Sequence, residues 1–202
     1  MDSRPPVTLP RLETLILTPR DARPEVILDN LLLPSLRSLQ IDEELSGSDC
    51  VLRAIRRWRC RLEELAFHDG EMDDLSVIDF LHSKELKHVH TLRIGGFVCQ
   101  DDVFASVSED IIKGMTVESG VSTESSIPLP SLRQPTLTGV KQWTDDVLMD
   151  MVESRSSEIL KRLSADLKPL ERVVIFENKD SSYAKVATLK DGIRSLNMPS
   201  AL

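Results

Sequence analysis

The stretch Leu33-Pro-Ser-Leu36-Arg-Ser-Leu39-Gln-Ile41 constrains the fold more than any other, because its leucine spacing returns along the chain. With Leu-x-x-Leu-x-x-Leu-x-apolar as the template, the copies are Leu9/Leu12/Leu15/Leu17, Leu33/Leu36/Leu39/Ile41, Arg59/Leu62/Leu65/Phe67, Leu86/Val89/Leu92/Ile94, Leu129/Leu132/Pro135/Leu137 and Leu167/Leu170/Val173/Ile175. Only Arg59 and Pro135 break the pattern. The second-slot residues fall at 12, 36, 62, 89, 132 and 170, in steps of 24, 26, 27, 43 and 38 residues. Leucine is common enough to match a leucine template by chance. Six ordered copies, three with proline directly after the first leucine (Pro10, Pro34, Pro130), are not what chance produces.

The spacing has a physical reason, a change of period inside each copy. Leu39 and Ile41, two apart, point to one face of a short strand, while Leu33 and Leu36 turn the chain into that strand and pack beneath it. One copy cannot bury its own apolar face, but stacked copies can. The first three steps lie within the roughly 20–29 residues of a leucine-rich repeat, and the last two read as the same unit with insertions. The expected fold class is therefore α/β, an irregular leucine-rich-repeat solenoid with a parallel sheet of about six strands and outer helices. At 202 residues it makes a single domain. A flexible insertion is expected at 115–128, where Ser119, Ser122, Thr123, Ser125 and Ser126 stand with little apolar content. Phosphorylation there is chemically open, although a plain loop explains the composition.

The connectors carry helical patterns. Glu25 to Leu32 places Val26, Ile27, Leu28, Leu31 and Leu32 on one side of a helix, and Leu52, Ile55 and Trp58 recur at helical spacing behind Ser48 or Asp49 as cap. Asp73 caps a helix through Ser83 with Leu75, Ile78, Phe80 and Leu81 inside. Gln100 to Gly114 is a further outer helix. The longest candidate, capped by Thr144, runs through Leu163 and Leu167, and Ser154-Arg-Ser-Ser157 is expected to divide it in two. Tyr183 to Leu196 reads as weakly helical.

Composition narrows the function. With 25 basic against 33 acidic residues the net charge is −8, which lacks the basic footprint that nucleic acid requires. The polar start carries no signal-peptide core, and apolar runs such as Leu31-Leu32-Leu33 are far too short to span a bilayer. The expectation is an intracellular protein, cytoplasmic or nuclear, with no membrane or nucleic-acid partner. Cys50, Cys60 and Cys99, an odd number, fit free thiols in a reducing compartment.

No phosphate-binding glycine loop, nucleophile elbow, zinc-protease helix or dinucleotide fingerprint is present. Asp145 and Asp146 are explained as acidic residues at a helix start. Cys50, Cys60 and His68 are too loosely spaced for zinc. Arg53, Arg56, Arg57, Arg59 and Arg61 around Trp58 form the one basic cluster, read as a solvated helix face with apolar stems. His88 and His90 flank Val89 and point away from it. The chain is thus expected to be non-enzymatic, with no cofactor and no metal. Function falls to the sheet face that the repeating leucines avoid, and the candidate protein-binding residues there are Gln40, Asp42, Glu64, His68, Thr91, Arg93, Thr136, Thr138, Arg172 and Phe176. The ends of the stack lack polar capping units, so exposed apolar surface or association at the ends is expected.

The Leu-Pro-x-Leu-x-x-Leu-x-apolar units, the stretch Trp143-Thr-Asp-Asp-Val-Leu-Met-Asp-Met-Val-Glu-Ser-Arg155 and the strand at Leu170-Glu-Arg-Val-Val-Ile175 together resemble the fungal F-box-like proteins with degenerate leucine-rich repeats. The resemblance covers residues 9 to 176 and is most specific at Thr144-Asp-Asp-Val-Leu148. It implies a ubiquitin-ligase adaptor whose repeats recognise the protein to be ubiquitinated. In that family an F-box docks the ligase linker subunit. No F-box helical bundle is found ahead of Leu9, so the docking role is carried over to no residue here. The alternative is a leucine-rich-repeat interaction module with no ubiquitin role.

Overall fold

Leu39 and Ile41 sit in a strand whose neighbours on either side carry the equivalent pairs. A computed structural model describes residues 5–18, 23–44, 49–68, 74–95, 107–118, 127–139, 144–163, 167–176 and 184–188. Strands β2 (Thr14–Leu17), β4 (Ser38–Glu44), β5 (Glu64–His68), β6 (Thr91–Gly95), β7 (Gln134–Thr138) and β8 (Arg172–Phe176) lie side by side, all parallel and in sequence order. The register follows the repeat. Leu15, Leu39, Leu65, Leu92 and Pro135 are successive partners, as are Leu17, Ile41, Phe67, Ile94, Leu137 and Ile175.

The strand entries repeat as faithfully as the strands. Carbonyl oxygens of Glu13, Arg37, Glu63, His90 and Arg133 each accept two backbone N–H groups from the next unit, as when Glu63 accepts from His90 and Thr91. A parallel ladder needs such partners at every step, because a buried backbone donor without one costs as much as a lost hydrogen bond.

Helices α1 (Pro24–Asp29), α2 (Asp49–Trp58), α3 (Asp74–Leu81), α4 (Glu109–Gly114), α5 (Asp145–Ser154) and α6 (Ser157–Leu163) flank the sheet. Leu28, Ala54, Ile55, Trp58, Phe80, Ile111, Leu148 and Met151 join the inward strand residues in one apolar cluster. Each fully covered leucine in it contributes about 1.5–3 kcal/mol of transfer free energy. Phe80 meets Phe67 edge-on at 5.4 Å and 87°, tying α3 to β5. The Trp58 indole donates to the Leu31 carbonyl at 2.6 Å, which satisfies its N–H inside the core.

Several expectations are corrected. Residues 184–188 are a strand, β9 (Ala184–Thr188), antiparallel to β8 with Val186 opposite Val174, rather than part of a helix. The ladder offered by β8 outweighs the helical propensity of alanine and lysine there. The helix expected over 25–32 ends at Asp29, where the Asn30 N–H closes on Ile27. Leu31–Leu32 then form β3, which pairs in parallel with β1 (Val7–Thr8). Leu75, expected inside, is 74% exposed, because Val77, Phe80 and Leu81 define the buried side of α3. Thr144 precedes α5, but its hydroxyl makes no cap hydrogen bond. Ser108, by contrast, caps α4 by accepting from the Ile111 N–H at 3.2 Å. The division after Ser154 falls where expected. Asp73, Cys99 and the first part of the Gln100–Gly114 helix lie outside the described residues.

The 115–128 segment is packed at both ends. Met115, Val117 and Ile127 are buried, while residues 119–126 lie outside the described residues. Arg155, in the break between α5 and α6, is 1% exposed and donates from Nε to Met115 O, from Nη1 to Leu129 O and from Nη2 to Pro128 O. Beside it, the Ser154 hydroxyl accepts from the Val117 N–H at 3.0 Å and donates to Met151 O.

Candidate functional site

Alternation along each strand sends every second residue away from the helices. The parallel register then sets these residues in rows. One row runs Ile16, Gln40, Ala66, Arg93, Thr136, Val174, one side chain from each of the six parallel strands. Another runs Thr14, Ser38, Glu64, Thr91, Gln134. Of the candidate residues, Gln40, Glu64, Thr91, Arg93, Thr136, Thr138 and Arg172 are brought together on this face. Asp42, His68 and Phe176 belong to its strands by backbone, but their side chains lie outside the described ones.

A shallow depression of about 440 Å³ lies on the face, lined by Gln40, Ala66, Arg93, Gly95, Thr136, Thr138, Arg172 and Val174. Glu64 accepts from the Ser38 hydroxyl at 3.1 Å, and Gln134 donates to Glu171 at 3.1 Å, so the lower row is partly bound to itself. Arg93 and Arg172 are exposed, and their side chains make no hydrogen bond or ion pair among the described residues. The face thus offers hydroxyl and amide groups between two guanidinium groups open to an incoming acceptor.

Three of the five arginines of the basic cluster in and after α2 are engaged within the fold. Arg57 donates to Leu28 O, Leu31 O and Asp29, Arg56 pairs with Glu85 at 2.9 Å, and Arg61 lies 3.9 Å from Glu63. Trp58 at its centre is buried. His88 and His90 are half-buried. Burial first, then Arg61 and Lys87, hold the His88 imidazole below its ordinary pKa. Burial pushes the Cys50 and Cys60 thiols up to about 11, so neither is a ready thiolate at neutral pH. Among the described residues no group of three His, Cys, Asp or Glu could hold a metal ion, and no helix is long and apolar enough to cross a membrane.

One groove carried no signal in the sequence. Between α3 and α4, about 720 Å³ opens beside Leu75, Ile78, His82, Lys113 and Gly114. The helices approach closely because Gly114 has no side chain; a Cβ there would stand 2.8 Å from Ile78 Cγ1. The His82 ring meets the Gly114 carbonyl at 3.0 Å across the same contact. A lone helical glycine gives no hint of which element it faces.

No protein-family model, curated protein or solved structure matches the chain.

Proposed function

We propose that the chain is a non-enzymatic protein-recognition scaffold, an irregular leucine-rich-repeat solenoid that grips another polypeptide across the open face of its sheet. The observation that carries this reading is the row from Ile16 to Val174, to which each of six strands contributes one side chain at one height. At about 4.8 Å between strands the row is roughly 24 Å long, a span suited to an extended peptide or a helix. The shallow depression and the two guanidinium groups, unpaired among the described residues, favour a polypeptide surface over an enclosed small molecule. On the F-box-like resemblance, the bound polypeptide is the protein to be ubiquitinated, and a ligase linker subunit is engaged only if an F-box exists upstream.

The test is affinity capture with the natural full-length product and with its Arg93→Glu, Arg172→Glu double variant. Partners that bind through this face should be retained at least about tenfold less by the variant. Capture that ignores both substitutions contradicts the site. Partners that depend on the face, yet arrive without a ligase linker subunit and without ubiquitin, leave the recognition scaffold standing and remove the ubiquitin role.

A further inference from the structure

Among the described residues, the first repeat unit is left uncovered where the later ones are closed. Leu36, Leu62, Val89, Leu132 and Leu170 are buried, but the equivalent Leu12 is only partly so; Leu39, Leu65, Leu92 and Val173 are buried, but Leu15 is not. Val7, Leu9, Ile16 and Val26 are exposed at this same end. The backbone repeats the contrast. Every later unit gives two N–H groups to the carbonyl of the unit before it, whereas the Glu13 and Thr14 N–H groups have no such acceptor among the described residues. Thr14–Leu17 holds no lysine, proline or bulge of the kind that blunts an edge strand.

We propose that this edge pairs with a second copy of the chain, β2 against β2 in antiparallel fashion, with Ile16 on the two-fold axis. The strand is self-complementary in that register and in no neighbouring one. Residues directly opposite in an antiparallel pair send their side chains to the same face. With Ile16 opposite Ile16, Leu15 meets Leu17 of the second copy on the helix side, and Thr14 meets Thr18. Centring on Leu15 instead sets Thr14 against Ile16 and Glu13 against Leu17, which places polar against apolar. The axis is normal to the sheet, so both helix layers stay on one side and α1 with its exposed Val26 comes beside its own copy. At the other end the last parallel strand already has a partner within the chain, since β9 pairs antiparallel with β8 and Leu170, Val173 and Ile175 are buried. Each copy carries a net charge of −8, so the copies repel at long range and the pairing tightens as salt screens that repulsion.

Sedimentation velocity of the full chain across micromolar concentrations tests the pairing. A reversible monomer–dimer equilibrium is expected, stronger at high salt. Ile16→Lys should weaken it at least about tenfold, because it sets two like charges directly opposite each other, while Ile16→Val should leave it intact. Since Ile16 is 55% exposed in the single chain, Ile16→Lys keeps the fold, which circular dichroism checks. Ile16→Cys should cross-link to a dimer under mild oxidation, because opposite residues lie about 4.5–5.5 Å apart, within disulfide reach. Thr14→Cys should not, and the unsubstituted chain controls for Cys50, Cys60 and Cys99. A monomer at every concentration, a dimer indifferent to Ile16→Lys, species larger than a dimer, or cross-linking of Thr14→Cys as fast as Ile16→Cys would each overturn the proposal.

Discussion

Arg155 Nε donates a 2.7 Å hydrogen bond to the Met115 carbonyl oxygen, forty residues earlier in the chain. With Leu129 O and Pro128 O on its other nitrogens, one guanidinium holds both ends of the 115–128 insertion against the α5–α6 break. Burial draws its pKa down to about 10, so it is still a cation at neutral pH, solvated by carbonyl dipoles. Arg155→Ala strands three buried acceptors and should cost about 3–5 kcal/mol. Arg155→Lys keeps the charge without the fork and should fall between the two. Urea denaturation reads both, and an unchanged midpoint for Arg155→Ala would refute the clamp.

The repeat predicts a gradient in the cost of truncating equivalent leucines. Leu92, in the middle of the sheet, is fully buried, and Leu92→Ala should cost about 2–5 kcal/mol. Leu15→Ala, one equivalent position at the open end, should cost less than about half of that, because the side chain already meets water. Equal losses in thermal or urea unfolding would contradict the unequal cover of the two positions.

How much of this was legible in the sequence follows from period. The inward pairs Leu15/Leu17 through Val173/Ile175 marked all six parallel strands, because a two-residue alternation inside a fixed repeat sets both strand and register. Even Pro135, which breaks the template, keeps its place opposite Leu92, although the β7–β8 pairing begins only at Thr136 and Val174. What stayed hidden had no period. The two-residue strands β1 and β3 are too short to show alternation, and β9 exists only because β8 offers it an edge. The open face could be assigned by default, as the side the leucines avoid. Arg155 sits in a helix break, where no face is defined, so its burial is a fact of tertiary packing alone.

Acid should find Glu85. Burial raises its pKa, but hydrogen bonds from Arg56, Ser83 and its own backbone amide more than reverse this and bring it to about 2, from an ordinary 4.5. A carboxyl whose pKa is lower in the folded state stabilises above its unfolded value and loses that contribution as pH falls toward its folded one. The Glu85 share of stability is therefore present above pH 4.5 and lost between 4.5 and 2. Glu85→Gln should be less stable than the natural chain at neutral pH, with the difference shrinking through that window. A difference that stays constant down to the acid limit would count against the Arg56–Glu85 pair.

Arg59 occupies the left-handed region at φ 53°, directly after α2, where its N–H closes on Ile55 O. That conformation costs a side-chain-bearing residue about 1–2 kcal/mol, and glycine gives back roughly 0.5–1 kcal/mol in unfolded-state entropy. Arg59→Gly should therefore raise stability slightly, by up to about 1 kcal/mol, seen as a higher urea midpoint. A clear loss would mean that the Arg59 side chain supports the fold.

The central claim, one side chain per strand in sequence order along an open face, is tested most directly by dipolar spin-label distances. Labels are placed at Gln40 and, one at a time, at Ala66, Arg93, Thr136 and Val174, with Cys50, Cys60 and Cys99 replaced. Strand spacing predicts backbone separations rising in equal steps, about 5, 10, 14 and 19 Å. A separation that shortens at any later step would contradict the order of the sheet and the row built on it.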